Sequence, residues 1–68
     1  MKINDVQFAN FKNICKRNDE FIAFFTDEQL RENLNSVIAS QGYWSGMSYR
    51  YYLDGDDWRT EVRRFGTH

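Results

Sequence analysis

Apolar and polar positions follow one period in the first two thirds of the chain and another in the last third. Phe8, Phe11, Ile14 and Cys15 recur at helical spacing and predict a first helix over 5–17. Asn4 is placed as its N-cap, Asp5 sits in the first turn, and Lys12, Lys16 and Arg17 lie toward the C-terminal end, as the helix dipole favours. Asn18-Asp19 reads as the stop.

The second helix is marked more sharply. Thr26 and Gln29 have the spacing of a capping box, with Phe25 and Leu30 placed as a hydrophobic staple around it. Leu30, Leu34, Val37 and Ile38 form one apolar stripe, and Arg31, Glu32, Asn33 and Asn35 are expected to face away. Gly42 is the expected C-terminal cap, because glycine takes positive φ at no steric cost. Between the helices, Phe21-Ile22-Ala23-Phe24-Phe25 is too short for its period to separate helix from strand. A short helix is the expectation there, since the next helix begins at once.

From Met47 onward the period is two. Met47, Tyr49, Tyr51 and Leu53 alternate with Ser48, Arg50 and Tyr52; Trp58, Thr60 and Val62 alternate with Arg59, Glu61 and Arg63. Asp54-Gly55-Asp56-Asp57 separates the runs as a turn. A loop at Asp54-Gly55 alone would oppose Arg50 and Arg59, which is unfavourable. A four-residue loop pairs Leu53 with Trp58 and Arg50 with Glu61, and this is the expected register. The apolar face is then Met47, Tyr49, Tyr51, Leu53, Trp58 and Val62. Gly42-Tyr43-Trp44-Ser45-Gly46, with its bracketing glycines, is read as a loop outside strand pairing.

The fold class that follows is α+β: N-terminal helices packed on one face of a C-terminal antiparallel β-hairpin. A lone hairpin is marginal in water. A third strand from Phe21–Phe25, the helices, or a second molecule must support it, so a homodimer is an open partner state. The 68 residues are read as one α+β domain, 1–68.

Composition narrows the function. Aromatics make up 18% of the chain, which supplies the dense packing a domain this small needs. A formal net charge of −1 weighs against whole-molecule attraction to nucleic acid. One cysteine cannot staple the fold, and no leader or membrane-length apolar run is seen, so a cytoplasmic location is expected and no membrane partner.

Candidate chemistry is sparse. His68 is the last residue of the sequence and reads as an ordinary chain end. Cys15 lies on the apolar stripe of the first helix and reads as a core residue. Asp54, Asp56 and Asp57 read as turn chemistry, since the position where a calcium loop needs a bidentate Glu holds Phe65. No catalytic residue, metal site or cofactor is expected.

What remains is a hairpin face carrying Arg50, Tyr52, Arg59 and Arg63, joined by Phe65 with Arg64 nearby, and Trp44 in the preceding loop, which reads first as core tucked under the helix and second as an exposed anchor. Arginine with aromatics is the composition of interface hot spots. It is also what stacks bases and pairs phosphates, and it is compatible with a solvated face of cross-strand ion pairs. The expected function is a small non-enzymatic protein-binding domain that occupies a surface of a larger protein or ribonucleoprotein complex through Trp44, Arg50, Tyr52, Arg59 and Arg63. Stand-alone intracellular proteins of this size and style include phage- or mobile-element-encoded inhibitors of host defence, anti-CRISPR proteins among them. The alternative is a nucleic-acid-binding module using the same face.

Overall fold

A computed structural model describes residues 2–63. Helix α1 spans Asp5–Arg17 and α2 spans Asp27–Ser40; strands β1 (Trp44–Ser45), β2 (Tyr49–Asp54) and β3 (Asp57–Val62) follow. The strands form an antiparallel sheet in the order β1-β2-β3. Both helices lie on one face, α1 against β3 and α2 against β1. This is the expected α+β class, with a three-stranded sheet.

Each helix starts where its sequence provides a cap. Asn4 accepts from the Gln7 amide at 2.8 Å while Gln7 Oε1 accepts from the Asn4 amide at 3.0 Å. Thr26 and Gln29 make the same reciprocal pair at 3.1 and 3.0 Å. Each pair satisfies backbone donors that the first turn leaves without intrahelical acceptors. Both helices also end alike. Glu20 N–H donates to Cys15 O and Asp19 N–H to Lys16 O; Gly42 N–H donates to Val37 O and Gln41 N–H to Ile38 O. This is the Schellman pattern. Its left-handed residue is Asp19 (φ 54°) in the first case and Gln41 (φ 53°) in the second. The expected cap Gly42 is therefore displaced by one: it closes the motif, and Gln41 carries the positive φ.

Phe21–Phe25 forms neither helix nor strand. It is a turn, with Phe25 N–H donating to Ile22 O. The third strand comes instead from Trp44–Ser45, which was expected to lie outside the sheet. Trp44 stands opposite Tyr51 and Ser45 opposite Arg50. The β2–β3 register is the expected one, with Leu53 opposite Trp58 and Arg50 opposite Glu61, but Asp54 and Asp57 also pair, so the turn is Gly55-Asp56 and not the expected four residues. Gly55 carries φ 66° in the turn, as a tight hairpin requires.

Phe11 is the centre of the core. Its ring meets Trp44, Tyr51 and Trp58 edge to face at 5.2, 5.7 and 5.0 Å. Ile3, Phe8, Ile14, Cys15, Leu30 and Leu34 complete the buried set. Polar bonds fasten α1 to the turn end of the hairpin. Trp58 Nε1 donates to Gln7 O at 2.9 Å, Gln7 Nε2 to Gly55 O at 3.2 Å, and Asn10 Nδ2 to Asp56 O at 2.9 Å.

That fastening explains where the expected apolar face fails. Tyr51 and Trp58 are buried, and Tyr49 and Leu53 are half-buried against the core. Val62, at the end of β3 away from the turn, is 67% exposed. Met47 is 71% exposed, because β2 begins only at Tyr49 and Met47 falls in the bend before it. The helices cover the turn end of the inner face and leave its far end in solvent. The polar stripe of α2 is corrected too: Arg31 lies over the Phe8 ring at 4.1 Å, and Asn35 accepts from the Ile3 amide at 2.7 Å.

Candidate partner-binding face

Side chains alternate across a strand, and directly paired residues share a face. With Tyr51, Trp58 and Thr60 turned toward the helices, the outer face carries Arg50 opposite Glu61, Tyr52 opposite Arg59, and Asp54 opposite Asp57. Arg50 binds Glu61 at 3.1 Å, and Arg59 binds Asp54. The Asp54 carboxylate raises the pKa of the Arg59 guanidinium. Asp57, set against the like-charged Asp54, accepts from Asn10 Nδ2 at 3.2 Å.

The outer face also holds a residue the sequence reading did not select. Tyr43 precedes β1 and reaches across it. The Arg50 guanidinium lies 4.4 Å from the centre of the Tyr43 ring, and Tyr43 meets Tyr52 edge to face at 5.5 Å. Such cation–π and edge-to-face contacts hold side chains in place as well as adding about 0.5–1.5 kcal/mol each. Beside them runs a cleft of about 400 Å³ between the end of α2 and β2, lined by Val37, Ile38, Gln41, Tyr43, Tyr52 and Leu53. Its lining combines the aliphatic Val37, Ile38 and Leu53 with the two tyrosines. The signal for Tyr43 was its alternation with Trp44, which has meaning only once β1 is known to pair.

Of the expected site residues, the structure brings together Arg50, Tyr52 and Arg59. Trp44 is not with them. Its ring sits on the inner face against Phe11, Phe25 and Tyr51, at 5.2, 6.3 and 5.7 Å. Arg63 turns toward the β1–β2 bend and donates from Nη1 to Gly46 O at 2.5 Å. Arg64, Phe65 and His68 lie outside the described residues.

A second exposed aromatic feature lies in the turn between the helices. Phe21 and Phe24 are 55% and 75% exposed and meet edge to face at 4.6 Å. Phe25 beside them turns inward against the core.

Burial pushes the Cys15 thiol up to about 12, with the nearby Glu20 charge adding to the effect, so it remains a thiol at neutral pH. Among the described residues, no three His, Cys, Asp or Glu side chains gather as a metal site, and no helix is long and apolar enough to cross a membrane. No family model matches the chain, and neither the curated proteins nor the solved structures contain a match to it.

Proposed function

We propose that the chain is a small non-enzymatic binding domain that occupies a surface of a larger protein or ribonucleoprotein partner. The observation that carries this reading is the Tyr43–Arg50–Tyr52 cluster beside the cleft between α2 and β2. Tyrosine and arginine dominate interface energetics, above all where they are already held in place and little ordering entropy is lost on binding. The narrower form of the proposal is an intracellular inhibitor of a host defence complex, of the anti-CRISPR kind.

The alternative, nucleic-acid binding through the same face, is less well supported. Arg50 and Arg59 each already face a carboxylate. A phosphate backbone would have to compete with these anions for the guanidinium groups.

The test pairs capture with substitution. Immobilised protein is used to capture a partner from a lysate, and binding is remeasured with Tyr43→Ala, Arg50→Ala and Tyr52→Ala. Each is expected to weaken binding by about tenfold or more while keeping a cooperative melt. Glu32→Ala, on the exposed side of α2, is expected to bind as the parent does. Loss of binding in Glu32→Ala with the tyrosine and arginine variants unaffected would move the working face to the helix. Binding to random single- or double-stranded nucleic acid that falls steeply with salt would favour the alternative.

A further inference from the structure

Strand β3 is an edge of the sheet, and its outer side is unpaired among the described strands. Arg63 N–H donates to Ser48 O at 2.9 Å, and this fixes the phase of the β2–β3 ladder. Asp57, Arg59 and Glu61 turn their backbone groups toward β2, so Trp58, Thr60 and Val62 turn theirs outward. β3 ends the sheet, and among the described residues no strand lies beyond it. Charged side chains, one of the devices that blunt such an edge, are present at Asp57, Arg59 and Glu61, but others are not. The strand Asp-Trp-Arg-Thr-Glu-Val contains no Pro or Lys, runs for 6 residues and pairs with β2 without a bulge.

We infer that the edge of β3 takes a second copy of this chain, antiparallel, about a two-fold axis at Thr60. In that register Arg59 stands opposite Glu61 of the second copy, and Glu61 opposite its Arg59. Trp58, Thr60 and Val62 exchange backbone hydrogen bonds with Val62, Thr60 and Trp58 of the second copy. Moving the axis by one residue destroys this charge match. Centred on residue 59 it opposes Arg59 to Arg59, and centred on residue 61 it opposes Glu61 to Glu61, both unfavourable in cross-strand pairs. The charge pattern therefore selects one register that uses the whole strand.

The inner side of the junction fits as well. Val62, 67% exposed in the single chain, comes beside Trp58 of the second copy. Beside Trp58 lies a cleft of about 330 Å³ between α1 and β3, lined mainly by the polar residues Asn10, Asn13, Arg17, Asp57 and Arg59. On the outer side a row of alternating charge results: Arg50, Glu61, then Arg59 and Asp54 of the second copy. The Tyr43–Tyr52 cluster lies toward the opposite edge of the sheet and is left uncovered, so this pairing stands independently of the partner-binding reading.

Sedimentation equilibrium over a wide micromolar range tests it, with far-ultraviolet circular dichroism as the check of folding. The parent is expected to dimerise. Arg59→Glu alone and Glu61→Arg alone each place like charges opposite one another at both symmetric sites. Each is expected to weaken the dimer by about tenfold or more. An equimolar mixture of the two restores opposite charges at both sites and is expected to recover the dimer as a heterodimer. Thr60→Pro removes an outward amide without touching the β2 ladder and is expected to give a folded monomer. A parent that stays monomeric at the highest concentration overturns the proposal. So does a dimer indifferent to Thr60→Pro, or a mixture of the charge variants that fails to recover.

Discussion

The Tyr51 phenol donates to Glu20 Oε1 at 3.0 Å, and the other oxygen of the same carboxylate accepts the Met47 amide at 2.9 Å. Glu20 thus ties the end of α1 to β2 and to the bend before it. Burial raises the Tyr51 pKa and keeps the phenol protonated as the donor. The carboxylate lies directly against Gly46, where a Cβ would come within 2.2 Å of Glu20 Oε1 and 2.9 Å of the Tyr51 ring.

Gly46→Ala should therefore evict the carboxylate and lower stability by about 1–3 kcal/mol, the range for overpacking and for a lost charged hydrogen bond. Gly42→Ala should cost less, since a Cβ there meets only the flexible Ser40 hydroxyl at 3.1 Å. Urea midpoints measure both. In a Glu20→Ala background the Gly46→Ala loss should shrink; an undiminished loss would show that Glu20 is not what the glycine accommodates.

Val62→Asp, which the alternating pattern alone would condemn as a buried charge, should leave a folded chain within about 1 kcal/mol of the parent, the span of β propensity at an exposed strand site. Trp58→Ala should cost about 3–5 kcal/mol and loosen α1, because the indole also holds Gln7 O. Thermal melts of the two variants should differ widely. Similar melts would mean that the helices reach the far end of the sheet.

Gln41 holds φ 53° at the end of α2, a conformation that strains an L side chain. Gln41→Gly should relieve it and raise stability by about 0.5–1 kcal/mol, with the gain limited by the greater freedom of glycine in the unfolded chain. A denaturation midpoint at or below the parent's would contradict the left-handed cap.

Alkaline stability should bear the mark of Cys15. Its thiol rises from 9.0 to about 12 on folding, so the folded chain holds this proton more tightly than the unfolded one. The stabilisation is whole below about pH 9 and is lost progressively as pH climbs toward 12, at up to about 1.4 kcal/mol per pH unit. Tyr51, also raised, steepens the loss above pH 10. Cys15→Ala should flatten the decline of the urea midpoint between pH 9 and 10, whatever it does to the midpoint itself. An unchanged slope would mean that the thiol is not held protonated.

Much of the scaffold was legible because it is written locally. The limits of α1, the Thr26 capping box and the β2–β3 register each follow from residues a few positions apart. The errors arose where distant parts of the chain decide. β1 is only 2 residues long, too short to show a period, and exists because Trp44 finds Tyr51. Met47 and Val62 alternate correctly yet are bare, because the reach of a helix over a sheet is not encoded in alternation. The site followed the same division. That Arg50, Tyr52 and Arg59 share the outer face was legible from strand period, whereas the place of Tyr43 on that face and the choice between core and surface for Trp44 depend on the unseen strand.

The bond from Trp58 to Gln7 joins positions 51 apart in sequence, and this has a consequence for how the chain is made. While a growing chain lacks β3, α1 lacks its indole donor and one of the three rings that pack on Phe11. Helix α1 thus precedes all three described strands, and its apolar stripe is fully covered only once β3 has followed. Folding is then a late, long-range event, slower than the local helices alone would allow, and the interval of synthesis is when this chain is most open to aggregation or to a chaperone.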